Sequence, residues 1–178
     1  MAVNIGVNMA RSQSNTKDTC ILCLDLSLAS TGYSVIKVVG RKVEVIEIGH
    51  INNKKYSNRS HGFRLYQIFI KLRELFDTYY ITDVVKERGF SKGHISTQAL
   101  FKVAGVVDLI IYAKSGLEAT EIAPLTVKKL VGGHGKASKE EVEAGVQKFL
   151  KSPVSFQNND ESDSLGVGIA YCLQKKLI

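Results

Sequence analysis

Four acidic residues occupy places in this chain where a solvated carboxylate is not expected. Asp25 sits in Ile21-Leu22-Cys23-Leu24-Asp25-Leu26, a run otherwise apolar on both faces of a strand, so its charge must meet a cation, a donor or a solvent-filled cleft. Glu87 ends Asp83-Val84-Val85-Lys86-Glu87 in the same manner. Asp160 and Asp163 open the last helical segment, and their i, i+3 spacing puts both on one face near the positive end of the helix dipole. Capping would account for Asp160 alone. It does not account for Asp163, because the segment continues as Leu165-Gly166-Val167-Gly168-Ile169-Ala170, slim enough to lie close against a sheet, which directs Asp163 inward. Glu140 and Glu143 fall where solvent is expected and need no such explanation.

If the strands carrying Asp25 and Glu87 are neighbours and the last helix crosses their ends, four carboxylates share one cleft and repel one another. Divalent cations relieve that repulsion, and hard oxygen donors with room for water suit Mg²⁺ or Mn²⁺ rather than zinc. Two such ions about 4 Å apart activate a water and stabilise the leaving oxygen of a phosphodiester. The composition agrees with a polyanionic substrate. The 178 residues carry 24 Lys and Arg against 17 Asp and Glu, a net charge of +7, and nucleic acid heads the partners such an imbalance favours.

The elements that must position these groups follow from hydrophobic periodicity. With 44% apolar residues the chain can bury one sizeable core. Residues 1–19 are polar and aperiodic and read as a flexible arm, leaving 20–178 as the domain. Strands are expected at Ile21–Leu26, Thr31–Val39 and Val43–His50, with Gly40-Arg41 as the turn of an antiparallel hairpin. A helix over about 58–80, a strand at Asp83–Glu87, a helix over Thr97–Lys114 and a strand at Glu118–Ala123 come next. Pro124 starts a short helix to Val131. Ser138-x-x-Glu141 is a capping box for a helix that Pro153 excludes beyond about Ser152, and a last helix runs from about Asp160 to Lys175. This order implies a mixed sheet covered by helices on both faces. The Thr97–Lys114 helix is apolar around most of its circumference, so it needs a second cover, which a second copy of the chain would supply.

Other patterns carry less. Cys20-Ile21-Leu22-Cys23 spells C-x-x-C, but residues three apart on a strand point to opposite faces and cannot close on one metal. Three cysteines build no disulfide framework, and no apolar run approaches the length needed to cross a bilayer, so a soluble intracellular protein is expected. Phe90 lies in a turn between Gly89 and Gly93, where a ring can meet a ligand or fold back on the domain. Lys128, Lys136 and Lys139 flank the glycines Gly132-Gly133-His134-Gly135 and can follow a phosphate backbone.

The chain resembles the RuvC family of Holliday-junction resolvases, particularly its divergent bacteriophage members, across roughly Ile21 to Cys172. The resemblance rests on Leu24-Asp25 followed by Ser30-Thr31-Gly32-Tyr33-Ser34-Val35-Ile36, on Glu87-Arg88-Gly89-Phe90, on the segment from Val127 to Lys139, and on Asp160-Glu161-Ser162-Asp163-Ser164-Leu165, in that order. It implies an RNase H-like fold with a five-stranded mixed sheet, a homodimer, and a divalent-metal endonuclease that nicks two strands of a four-way junction. The family's four metal-binding acids fall on Asp25, Glu87, Asp160 and Asp163, its two functional lysines on Lys128 and Lys139, and its junction-probing aromatic on Phe90. One departure is that Leu26-Ser27 stands where the family usually has Pro-Gly, which bears on the shape of that turn and leaves the ligand unchanged. Two other readings compete. Asp25 to Gly32 vaguely suggests the phosphate-contacting hairpin of an actin-like or sugar-kinase-like domain, although 178 residues supply only one of the two lobes such proteins close around nucleotide. A module that binds junctions without cutting would be expected to lack one of the carboxylates.

Overall fold

The computed structural model describes residues 19–89 and 94–178. Nearly all of the expected arm, and Phe90, lie outside them. The strands are β1 (Cys20–Asp25), β2 (Ser30–Val39), β3 (Lys42–Asn52), β4 (Asp83–Glu87) and β5 (Thr120–Ile122), and the helices are α1 (His61–Thr78), α2 (His94–Ser115), α3 (Pro124–Val131), α4 (Lys139–Phe149) and α5 (Asn159–Gln174). They form one sheet in the order β3-β2-β1-β4-β5, antiparallel across β1, β2 and β3 and parallel across β1, β4 and β5.

Alternation along the strands decides which face each side chain serves. Ile21 and Cys23 enter a core shared with α3, α4 and α5, whereas Cys20, Leu22 and Leu24 enter a second core under α1 and α2. Cys20 and Cys23 therefore lie on opposite faces, and all three cysteines are free and buried. Gly40 takes φ +63°, the conformation the first central residue of a two-residue hairpin turn needs, and this sets the β2–β3 register.

The helices start where their caps stand. Ser60 Oγ accepts from Phe63 N–H at 3.2 Å to open α1, and the Ser138/Glu141 capping box opens α4 as expected. The last helix departs from expectation at its first residue: Asn158, not Asp160, is the cap, its side chain accepting from Glu161 N–H at 3.1 Å. α4 also ends before Ser152, because Leu150 turns extended and bridges to Val43, with Lys151 N–H donating to the Val43 carbonyl at 2.8 Å. Strand β5 covers only the middle of the expected Glu118–Ala123.

α5 is the element the site depends on. It packs across β1, β2 and β4, and a methyl group at Gly168 would overlap the Cys23 sulfur. A Cβ at Gly32 of β2 would overlap the Asp160 carbonyl, so this glycine lets the first turn of α5 sit directly on the sheet.

Candidate active site

Asp25 and Glu87 are the last residues of two paired parallel strands. The ladder runs Cys23 with Val85 and Leu24 with Lys86, so the next step outward brings the two carboxylates side by side at the C-terminal ends of the strands. On the other side of β1, Asp25 faces Gly32, the residue on which the first turn of α5 rests. One local geometry thus collects residues from three distant stretches of sequence.

The electrostatics report the same convergence. Burial pushes the Asp25 carboxyl up to about 7, and the charges of Glu87, Asp163 and Asp160 push in the same direction against Lys139. Burial and then the charge of Asp163 raise Glu87, also to about 7, with Lys139 and Lys128 opposing. Asp163 accepts a hydrogen bond from Lys139 Nζ at 3.0 Å, which, with the nearby Asp25 and Asp160 charges, raises the lysine. Asp160 accepts from the Ser30 hydroxyl at 2.5 Å. Lys128 stands in the last turn of α3, half-buried and near enough to act on Glu87, while Lys136 is exposed in the turn between α3 and α4.

Among the described residues, no three Asp, Glu, His or Cys side chains stand together closely enough to hold an ion as they are. Two of the four acids are engaged elsewhere, Asp163 by Lys139 and Asp160 by Ser30. The donor set nevertheless fits a hard divalent cation: every donor is a carboxylate oxygen, and two of the carboxyls are pushed up to about 7 by burial and mutual repulsion that a cation would relieve.

Sequence reasoning missed three supporting residues. Ser30 holds Asp160, and it lay inside the Ser30-Thr31-Gly32 stretch without a role. Glu161, with a side chain only 4% exposed, accepts from Gln157 N–H at 2.8 Å and lies 2.9 Å from His50 Nδ1, tying the first turn of α5 to β3. The Asn158-x-x-Glu161 spacing is the helix-start signature that could have revealed the Glu161 bond to the preceding loop. Nothing in the sequence pairs Glu161 with His50.

The family description "crossover junction endodeoxyribonuclease RuvC" matches residues 21–171. The chain belongs to the RuvC family. A relative from Treponema denticola, a crossover junction endodeoxyribonuclease RuvC, is 30% identical over 93% of this chain and 92% of its own length. The fold agrees: RuvC of Thermus thermophilus, solved in complex with a Holliday junction substrate, superposes with a TM-score of 0.81 over 89% of this chain and 96% of that one, at 18% identity. The yeast mitochondrial Holliday junction resolvase superposes at 0.65 over 93% of this chain and 82% of that one, at 15% identity. RuvC membership makes the chain a junction-resolving endonuclease rather than a nucleotide-binding domain. It also accounts for the RNase H-like mixed sheet. Among the described residues no helix is long and apolar enough to cross a membrane.

Proposed function

We propose that residues 20–178 form one nuclease domain in which Asp25, Glu87, Asp160 and Asp163 hold two Mg²⁺ ions, replaceable by Mn²⁺, to cut a four-way DNA junction in the cytoplasm. The observation that carries this reading is the meeting of Asp25 and Glu87 at adjacent strand ends, with Asp160 seated over them by Gly32. When bound, such ions activate water and stabilise the leaving oxygen of a phosphodiester.

The chain's own residues do the rest. Burial of Asp25 and Glu87 keeps bulk water from competing for their oxygens. Ser30 fixes the orientation of Asp160 through its hydrogen bond. Lys139 offsets the negative field of the four acids and, once Asp163 turns to a cation, is free to meet a phosphate oxygen. Lys128 and Lys136 continue that positive edge along the DNA backbone, and Phe90 stacks on a base loosened at the junction.

Two cuts require two sites, and α2 supports a homodimer. Phe101, Leu109 and Tyr112 stand on its outer face 70, 67 and 65% exposed, while Val103, Val107, Ile110 and Ile111 fill the core. A second copy packed on that stripe completes the cover α2 lacks and fixes the separation of two catalytic clefts.

The deciding experiment incubates the purified chain with labelled four-way, forked and linear DNA in Mg²⁺, Mn²⁺ or EDTA. Paired nicks in the four-way substrate, dependent on metal, are expected. Asp25→Asn and Asp163→Asn should abolish cutting, by at least about 1000-fold, while junction binding survives because each change reduces repulsion towards phosphate. Full activity in either variant would overturn the catalytic assignment. Preferential cutting of forks would redirect the substrate.

A further inference from the structure

Between Glu47 and Glu74 the chain carries Lys54, Lys55, Arg59, Arg64, Lys71 and Arg73 and no carboxylate. The first four fall in the connection from β3 to α1 and in the first turn of α1. That connection is fastened to the catalytic end of the sheet. Asn52 pairs with Ser30, the residue that holds Asp160. Asn53 N–H donates to the Ala29 carbonyl at 3.0 Å, and the fully buried Asn53 amide donates to the Arg64 carbonyl at 2.9 Å. Arg64 in turn donates to the Leu28 carbonyl at 3.2 Å. The turn that leaves Asp25 is therefore hydrogen-bonded to a basic segment.

Lys54, Lys55 and Arg59 are exposed, and like most Lys and Arg among the described residues they are in no ion pair. Two of the three are held in place by rings instead. Lys55 Nζ lies 5.1 Å from the Tyr56 centroid and Arg59 lies 4.5 Å from that of Phe63, and the two rings meet edge to face at 5.1 Å. Such cations are preorganised and carry no carboxylate that a ligand would have to displace.

Strand order places this segment on the β3 flank of the cleft, while Lys128 acts on Glu87 from the β4 side. Two strand spacings, about 10 Å, separate β1 from β3, roughly three base-pair steps of a duplex. We propose that Lys54, Lys55 and Arg59 form a second DNA contact, gripping the phosphate backbone of the duplex arm that leaves the cleft on the β3 side. The contact is independent of sequence and reads only charge and the path of the backbone. This inference rests on the reading of the cleft as a junction-cutting site.

The test is binding of a fluorescent four-way junction in EDTA across a salt series. Lys54→Gln/Lys55→Gln/Arg59→Gln is compared with the charge-matched Arg41→Gln/Lys175→Gln/Lys176→Gln, whose residues sit at the opposite end of the sheet and of α5. The first variant should bind about tenfold or more weakly and flatten the log K against log salt slope by about 2 to 3, with the control shifting by less than about 1. The single Lys54→Gln, which disturbs no ring contact, should flatten the slope by about 1. Unchanged affinity and slope in the triple variant, or an equal loss in the control, would overturn the contact. A wild-type chain that shows the charge dependence but never cuts would overturn the nuclease reading and leave this contact standing.

Discussion

Helices α5 and α2 lie on opposite faces of one sheet, and each is rich in apolar residues, yet they meet opposite fates. α5 is buried from Glu161 to Cys172 apart from Asp163, and its small residues let it approach the strands until Gly168 touches Cys23. α2 spends its branched residues on the core and leaves Phe101, Leu109 and Tyr112 outside, around Gly105, where an added methyl group would meet nothing. The contrast teaches that a glycine or a large apolar residue has no fixed meaning. Its meaning is set by what the chain itself brings to that surface, and α5 is finished by its own sheet while α2 is not.

The comparison breaks first at Gly32. Gly32→Ala should lower junction cutting at least about 100-fold, because the methyl group overlaps the Asp160 carbonyl and displaces the first turn of α5, and misplacement by about 1 Å costs on that order. Circular dichroism should remain that of the folded chain. Near-normal cutting would show that the seat of α5 does not set the geometry of the acids. On the other helix, if α2 pairs with a second copy as proposed, Leu109→Glu should leave a monomer in analytical ultracentrifugation where wild type is a dimer and reduce paired nicking about tenfold, since an unpaired charge in an apolar contact costs a few kcal/mol. A variant that still sediments as a dimer would place the second copy elsewhere.

These two positions also mark how far the sequence could be read. The Asp25 and Glu87 pairing was legible, since a buried apolar run with one terminal carboxylate has few explanations and the two runs end alike. Gly166 and Gly168 signalled the close approach of α5. What stayed hidden depends on partners far apart in the chain: Ser30 with Asp160 and His50 with Glu161 are separated by 130 and 111 positions, and no local pattern names such a pair. The cap failed for a different reason. Asn158 and Asp160 are equally good cap residues by type, so residue identity alone does not choose between them. The surplus apolar circumference of α2 was visible, although which side chains would remain outside was not.

A pH series sharpens the contrast, because among the described residues only the α5 face carries raised carboxyls. Asp25 and Glu87 ionise at about 7 in the folded chain, above their ordinary range when unfolded. Between about pH 4 and 7 the folded state therefore holds protons the unfolded state has lost, so the stability they contribute is complete at the acid end and vanishes as pH rises through 7. Subtracting the Asp25→Asn curve from the wild-type curve isolates this trend from the rest of the chain. Wild type without metal should lose stability relative to the variant by a few kcal/mol from about pH 5 to 8, or about 2–4 °C in Tm per kcal/mol. Mg²⁺ should restore the loss at about pH 8 and do little at about pH 5. Parallel curves would mean that Asp25 is neither buried nor crowded by like charge in the folded chain.

The smallest effect is the most discriminating for α2. Within one copy Gly105 has open space beside it, so Gly105→Ala should stabilise the helix by about 0.5–1 kcal/mol through backbone entropy alone. That gain is expected in the Leu109→Glu background, where the face is bare. In the otherwise wild-type chain the same methyl group would stand between Phe101 and Leu109, on the stripe proposed to meet a second copy, and the gain should shrink or reverse. Chemical denaturation of the four variants measures the difference directly, and a non-additivity of about 1 kcal/mol, larger than the roughly 0.2–0.5 kcal/mol that i, i+4 neighbours exchange within one helix, assigns it to the partner. Equal gains in both backgrounds would mean that the second copy, if it covers α2, stands too far off to feel a methyl group at Gly105.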